Sequence, residues 1–488
     1  MARALLLAQA PAQHRGGAYR DMVNQVVPAG QPKIVFSFSS ILQRPPPPPH
    51  HHQRGSFQVL TKQHCSLQKK VSAILLRKVA VEDQTTERRK GICSVADVAE
   101  QGVQTDHKDV LVHQPHSQSF QNIHSESELL RGIRNEVESG RLPARAGSGM
   151  LELYTNYKDA VRSSGVNNAD DIAVEVMSTV LDRILLQFEN PFTFPSYHQR
   201  MLEPYNYYEF GQNYVRPLID YRNSYLGNIG LFNEIEGYLK QGENVILLSN
   251  HQTEADPAVI ALLLETTHPF LAENLTYVAG DRVVLDPFCK PFSMGRNLLC
   301  VYSKKHLYDI PALAEMKRIA NTRTLREMSA LFRNGGQLIW IAPSGGRDRP
   351  DPVTQEWVPA PFDASSVMSA KRLSESVRVP GHIYPTALLC FNIMPPPHQV
   401  EKELGERRAV GYSGVGFAVA PEICYDSLTS SIEDKNTARD LYTQAAWEVV
   451  NENYNVLKGA ICNGMGLSSS TPSCSLVQPW RKGIIEPT

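Results

Sequence analysis

The sequence predicts an α/β protein in two parts: a small N-terminal helical domain followed by a larger α/β domain with a mixed sheet flanked by helices. Apolar residues recur at helical spacing between residues 126 and 189. From Gly242 onward, short apolar runs alternate with helical stretches, the texture of strands joined by helices. The first ninety residues, by contrast, have the composition of a tail. The expected division is residues 1–110 as targeting segment and disordered linker, 120–200 as the helical domain, 201–480 as the α/β domain and 481–488 as a C-terminal extension.

The tail comes first. Between Met1 and Val81 eleven Lys or Arg face one acid, Asp21, in company with Ser37, Ser39, Ser40 and the run Pro45–Pro49. Such a stretch cannot bury enough apolar surface to offset its chain entropy. Basic, hydroxylated and poor in acids, it fits an organellar transit peptide better than a secretory signal, whose apolar run would have to exceed Ala4–Ala8. A plain disordered extension is the alternative. His50–His52 beside the prolines reads as low-complexity sequence, and no metal site is expected.

Glu128, Leu129, Leu130, Ile133 and Val137, then Ile172, Val176, Val180, Ile184 and Leu185, repeat at helical spacing. The aromatic passage Tyr205, Tyr207, Tyr208, Phe210 and Tyr214 reads as packing, because it lacks the interleaved Lys and Arg of a base-stacking platform. Candidate strands follow at Val245–Leu248, Tyr277–Ala279, Leu338–Ile341, Ile383–Leu389 and Val415–Ala420.

Charge and cysteine narrow the function. Of 49 Lys+Arg and 50 Asp+Glu, residues 91–488 hold 35 and 46, so the globular part is acidic. It has no broad electrostatic reason to bind nucleic acid, and any anion site must be a local cluster. Eight cysteines without a CxxC pair suggest a reduced compartment. The apolar runs fall far short of a membrane-spanning helix.

The first large strand empties into Ser249-Asn250-His251-Gln252-Thr253-Glu254-Ala255-Asp256-Pro257. Asp256 before Pro257 makes a good N-cap and first-turn pair, which alone would be a structural role. His251, five residues upstream, adds chemistry: its imidazole can donate to the Asp256 carboxylate, which fixes the tautomer of a general base. Further on come Ser303-Lys304-Lys305-His306 and the loop Ala342–Pro352, with Gly345-Gly346-Arg347-Asp348-Arg349. Glycines permit close approach and guanidinium forks match phosphate oxygens, while mutual pairing of the loop's Arg and Asp residues is the plainer alternative.

These motifs, with Cys300–His306 and Ile393-Met394-Pro395-Pro396-Pro397, resemble the plastid glycerol-3-phosphate acyltransferases, soluble plant enzymes that use acyl carrier protein. The resemblance covers about Phe120 to Trp480, with four separate motifs in the family's order. It implies transfer of a fatty acyl group from acyl-acyl carrier protein, with acyl-coenzyme A as another donor, to the sn-1 hydroxyl of glycerol 3-phosphate in the chloroplast stroma. It implies His251 and Asp256 as the catalytic pair, and Lys305, His306, Arg347 and Arg349 as glycerol-3-phosphate ligands. No cofactor is implied. Asn392 stands where an acid is expected, and Thr386 interrupts an aliphatic strand. An acyltransferase with another acceptor, or a phosphate- or lipid-binding protein without turnover, are the competing readings.

An alcohol needs a base as it attacks, and a thiolate leaves from a thioester without a strong acid. No covalent acyl-enzyme is required, which agrees with the lack of a Gly-x-Ser-x-Gly elbow; Ser344 reads as loop structure. Backbone N–H groups at the start of the helix after Asp256 are candidate oxyanion donors. Lys317, Arg318, Arg323, Arg326 and Arg333 share one helical stretch and could dock an acidic carrier protein, a solvated helix face being the plainer alternative. Ala258–Leu264 and Ile383–Leu389 are candidate walls for the acyl chain.

Overall fold

The computed structural model describes residues 117–304, 307–375, 378–397 and 407–469; the tail and the C-terminal extension lie outside them. Helices α1 (Glu126–Glu138) and α3 (Ala169–Glu189) stand where helical spacing placed them, and α2 (Ala144–Ser163) lies between them in the segment read as helical. Ser125 accepts from the Glu128 N–H, while the Glu128 carboxylate accepts from the N–H of His124, which closes the start of α1 from both sides. Their buried stripes, with Leu129, Ile133, Met150, Tyr154, Met177 and Leu181, join one apolar cluster with a face of the sheet. The aromatic passage is packing, as expected. It forms α4 (Tyr207–Val215), in which Tyr214 stacks on Tyr157 at 4.9 Å and accepts that hydroxyl on its carbonyl at 2.9 Å.

The strands are β1 (Tyr197–His198), β2 (Tyr225–Gly227), β3 (Asn244–Ser249), β4 (Thr276–Gly280), β5 (Asn297–Val301), β6 (Leu338–Ile341), β7 (Arg349–Pro350), β8 (Trp357–Val358), β9 (Gly381–Leu389) and β10 (Gly416–Val419). β7 and β8 pair with each other; the other eight form one sheet in the order β1-β5-β4-β6-β3-β9-β10-β2. Its centre is parallel, and β1 and β10 run antiparallel to β5 and β9. The sheet is therefore mixed and flanked by helices, as the sequence predicted. Four of the strands that periodicity did not reveal have only two or three residues, and β5 lacks the alternation that would mark it.

Connecting helices are α5 (Ile229–Lys240), α6 (Asp256–Leu264), α7 (Pro269–Asn274), α8 (Asp281–Leu285), α9 (Lys290–Met294), α10 (Ala314–Asn334), α11 (Ala364–Glu375), α12 (Tyr425–Thr429) and α13 (Lys435–Ile461). Alternation along β3 sends Val245 and Leu247 into the cluster shared with α1–α6, and Ile246 and Leu248 into a second cluster with α10, α11 and α13. A strand covered on both faces is a continuous apolar run for that reason. Thr386, the interruption in β9, is buried opposite Ser249 and Val419. On α10, Arg318, Arg323, Arg326 and Arg333 are exposed. Lys317 is not part of that surface: it is buried, its ammonium 5.7 Å from the Tyr302 ring centre, because its position faces the sheet. Among the described residues, no helix is long and apolar enough to cross a membrane.

Candidate active site

Strands β3 and β6 are parallel neighbours, with Leu248 opposite Ile341, so the segments leaving their C-terminal ends emerge side by side. One is the turn 250–255 before α6; the other is the loop from Ala342. Asn250 acts as one more rung of the sheet, donating to the Leu388 carbonyl at 2.9 Å and accepting from the Leu388 N–H at 2.8 Å. Gln252 accepts from the N–H groups of Cys390 and Phe391 at 2.6 and 3.1 Å and donates to the Tyr454 hydroxyl at 3.2 Å. The turn is thus pinned on both sides of His251.

His251 Nδ1 lies 2.7 Å from Asp256 Oδ2, and the pair spans a gradient of exposure: the imidazole is 27% exposed and the carboxylate fully buried. Asp256 also accepts from the N–H groups of Gln252 and Thr253 at 2.8 and 2.7 Å, from the Thr253 hydroxyl at 3.0 Å and from the Cys390 thiol at 3.1 Å. Burial alone would raise this carboxyl, but the His251 ring and those donors outweigh it and hold Asp256 below its ordinary value. With Nδ1 committed to a carboxylate, Nε2 is the nitrogen left to meet a substrate proton. Trp340, from β6, meets the His251 ring edge to face at 5.6 Å and restricts its tilt.

Asp256 is not the N-cap of α6. Ala255 holds that position and Asp256 is the first helical residue; its oxygens turn back because the N–H donors of the preceding turn lie within reach. Nor does the start of α6 offer oxyanion donors. Pro257 has no N–H, and those of Ala258 and Val259 donate to the Ala255 carbonyl at 2.9 and 3.0 Å. Every residue from Ala258 to Leu264 is buried in packing.

In the second loop, Gly345 adopts φ +66°, which explains a glycine there. The Ser344 hydroxyl donates to the Gly346 carbonyl at 2.9 Å, a loop contact as expected. The Arg347 guanidinium lies 3.6 Å from Glu254 Oε1. Arg349 donates to the carbonyls of Arg347 and Asp348 at 3.2 and 2.8 Å. Arg347 is thereby brought against the turn that carries His251. Lys305 and His306 lie outside the described residues; their neighbour Lys304 is exposed, its ammonium 2.9 Å from the Ser365 hydroxyl.

Several residues of this centre escaped the sequence reading. Glu254 is half-buried between two cations, with Arg347 3.6 Å from Oε1 and Arg408 Nε 2.9 Å from Oε2. Arg408 also donates to Asp286 at 3.0 Å and to the Cys289 sulfur at 3.0 Å. Burial would push the Glu254 carboxyl up, but Arg408 and Arg347 hold it below its ordinary value. Asp348 is fully buried, accepting from the Asn250 amide at 2.8 Å and the Ala360 N–H at 2.9 Å. Glu254 stands inside the His–Asp motif, in a run of polar residues that gives no local sign of an ion-pair partner, and Arg408, far along the chain, was not readable as one. Among the described residues, no cluster of His, Cys, Asp and Glu has a geometry that could hold a metal.

Two family models match the chain: the glycerol-3-phosphate acyltransferase N-terminal family over residues 117–192 and the acyltransferase family over residues 233–389. Curated relatives named chloroplastic glycerol-3-phosphate acyltransferase match along most of their length. That of Arabidopsis thaliana is 57% identical over 365 residues, covering 75% of this chain and 80% of the relative. Those of Phaseolus vulgaris and Spinacia oleracea are 56% and 55% identical, with 75% of this chain covered in each case and 79% and 77% of the relative. The turn carrying His251 and Asp256, the loop carrying Arg347 and the mixed sheet that sets them side by side thus belong to a chain that is a member of the chloroplastic glycerol-3-phosphate acyltransferase family.

Proposed function

We propose that this chain transfers a fatty acyl group from acyl-acyl carrier protein to the sn-1 hydroxyl of glycerol 3-phosphate in the chloroplast stroma, giving 1-acyl-sn-glycerol 3-phosphate. The observation that carries the reading is the 2.7 Å contact of His251 Nδ1 with buried Asp256, set beside a loop that presents Arg347 and Arg349. His251 Nε2 takes the hydroxyl proton as the oxygen attacks the thioester carbon, and Asp256 holds the ring in the tautomer that can accept it. The tetrahedral intermediate collapses by expelling the carrier's thiolate, which needs no acid stronger than water. No acyl group passes through the protein.

Arg347 and Arg349, with Lys305 and His306, grip the phosphate remote from the reacting hydroxyl. Fixing that end makes the attack effectively intramolecular, worth up to about 7–11 kcal/mol in favourable systems. The exposed arginines of α10 are the docking surface for the acidic carrier, with Met316, Ile319 and Leu325 exposed among them. The basic segment before residue 110 is the transit peptide.

The test uses purified full-length protein and its His251→Ala variant, with acyl-acyl carrier protein and glycerol 3-phosphate. Turnover is expected to fall by about three orders of magnitude, with calorimetric binding of glycerol 3-phosphate retained. Undiminished turnover in the variant would remove His251 as the base, and an unmutated protein that works only with acyl-coenzyme A would overturn the donor.

A further inference from the structure

Asp348 sits between the two arginines assigned to the acceptor phosphate, yet faces the opposite way. An extended chain alternates its side chains, and burial follows that alternation: Asp348 is fully buried, whereas Arg347 and Arg349 are partly exposed. Its backbone N–H donates to the carbonyl of His251. Its Oδ2 accepts from Asn250, the residue just before His251, and its Oδ1 accepts from the Ala360 N–H beyond β8. Asn250 is in turn fixed to Leu388 of β9 by two hydrogen bonds. One side chain therefore ties three segments together: the turn of the base, the loop of the arginines and the return of the β7–β8 hairpin.

We propose that Asp348 is a positioning residue that sets the distance and orientation of the Arg347/Arg349 pair relative to His251, and so governs use of the phosphate-bearing acceptor rather than of the acyl donor. The proposal rests on the reading of Arg347 and Arg349 as phosphate ligands. Both side-chain partners of Asp348 are N–H donors, so only the ionised carboxylate offers a strong acceptor to each. An asparagine in its place must turn its NH2 against one of them, whichever way the amide is set. Protonation weakens the brace in the same manner. Burial pushes the Asp348 carboxyl up to about 7, against the lowering effect of the Ala360 N–H, Asn250 and His251. The charged and titratable groups facing it are His251 and Asp256 from the turn, Cys390 just past the end of β9 and Tyr454 from α13, while Arg347 and Arg349 of its own loop point away.

The test compares full-length protein with Asp348→Asn, measuring kcat and the KM of each substrate between about pH 6 and pH 8. The expected result is a KM for glycerol 3-phosphate raised about tenfold or more, an unchanged KM for the acyl donor, and a weaker pH dependence around neutrality than the unmutated KM shows, the part that remains coming from the acceptor phosphate, which titrates at about pH 6. Kinetics indistinguishable from the unmutated protein overturn the proposal, as does a uniform loss of kcat that tracks a lowered melting temperature. Should Asp348→Asn not fold, Asp348→Glu keeps the charge but displaces both oxygens, and the same split between the two KM values is expected. A KM for glycerol 3-phosphate that stays flat with pH in the unmutated enzyme also overturns it. Absence of any transfer to glycerol 3-phosphate by the unmutated enzyme is a different failure, that of the proposed function.

Discussion

Arg408 Nε lies 2.9 Å from Oε2 of Glu254, a pair 154 residues apart in sequence whose side chains are 10% and 17% exposed. Burial of a guanidinium is costly, but Glu254, Cys289 and Asp286 around it more than offset that and hold Arg408 well above its ordinary value. The same carboxylate faces Arg347 with its other oxygen, so two cations from separate parts of the chain share one counter-charge.

Replacement of Arg408 by Ala takes the cation from buried Asp286 and leaves the half-buried Glu254 with Arg347 alone. Urea denaturation should show a loss of about 3–5 kcal/mol. Arg408→Lys should recover only part, since a single ammonium cannot serve both acids with the geometry of a fork. A loss below about 1 kcal/mol in the alanine variant would mean that the cluster is wetter than its burial indicates.

Asp256→Asn keeps the volume but places an amide against N–H donors and frees the His251 tautomer. Turnover should drop about 10³- to 10⁴-fold with little change in either KM. Retention of more than a tenth of the activity would exclude Asp256 as the group that orients the base.

Arg347→Ala leaves Glu254 still held by Arg408, so the fold should survive. The KM for glycerol 3-phosphate should rise about ten- to a hundredfold, the scale of one charge-assisted hydrogen bond, while the KM for the acyl donor stays put. Equal increases in both constants would argue for general damage instead.

His382 lies between Glu243 at 2.7 Å and Glu422 at 3.2 Å and stacks on Tyr238. Burial would lower its affinity for a proton, but the two carboxylates outweigh it and raise it. A raised folded value stabilises the protein fully below the unfolded value of about 6.5, and that contribution disappears as pH climbs through the folded value. The urea midpoint of the unmutated protein relative to His382→Gln should therefore narrow as pH rises through and above about 6.5. A difference that widens contradicts the assignment.

Gly295 follows α9 where a Cβ would stand 2.2 Å from the Tyr207 carbonyl oxygen at the start of α4. Its backbone is ordinary, so the demand is for space alone. Gly295→Ala should cost about 1–3 kcal/mol in thermal or urea unfolding. A neutral result would show that α4 can move away freely.

Much of this was legible in the sequence because the signals were local and repeated. Helical spacing set out α1 and α3, and apolar runs set out β3, β4, β6, β9 and β10. Two-residue strands such as β7 carry too little periodicity to be read, and they depend on a partner for their existence. At the site, His251 and Asp256 could be paired because five residues on a turn bring them together. The direction of the Asp256 oxygens could not, since proline-flanked caps look the same whether they serve the helix or the turn before it. Arg408 was invisible for a different reason: its partners, Glu254 and Asp286, lie far back along the chain, and nothing local marks a cation as buried.

The strand that leads into the turn of His251 takes its ladder partners from β6 and β9, and Glu254 of that turn pairs with Arg408. A ribosome releases the chain from the N-terminus, so the turn is synthesised long before the groups that hold it. Until residue 408 has emerged, Glu254 has no Arg408 cation to meet, and until β9 has formed, Asn250 has no rung to fill. The working centre is thus among the last features a nascent chain acquires, and a product terminated ahead of that arginine should be inert however well its leading helices have folded.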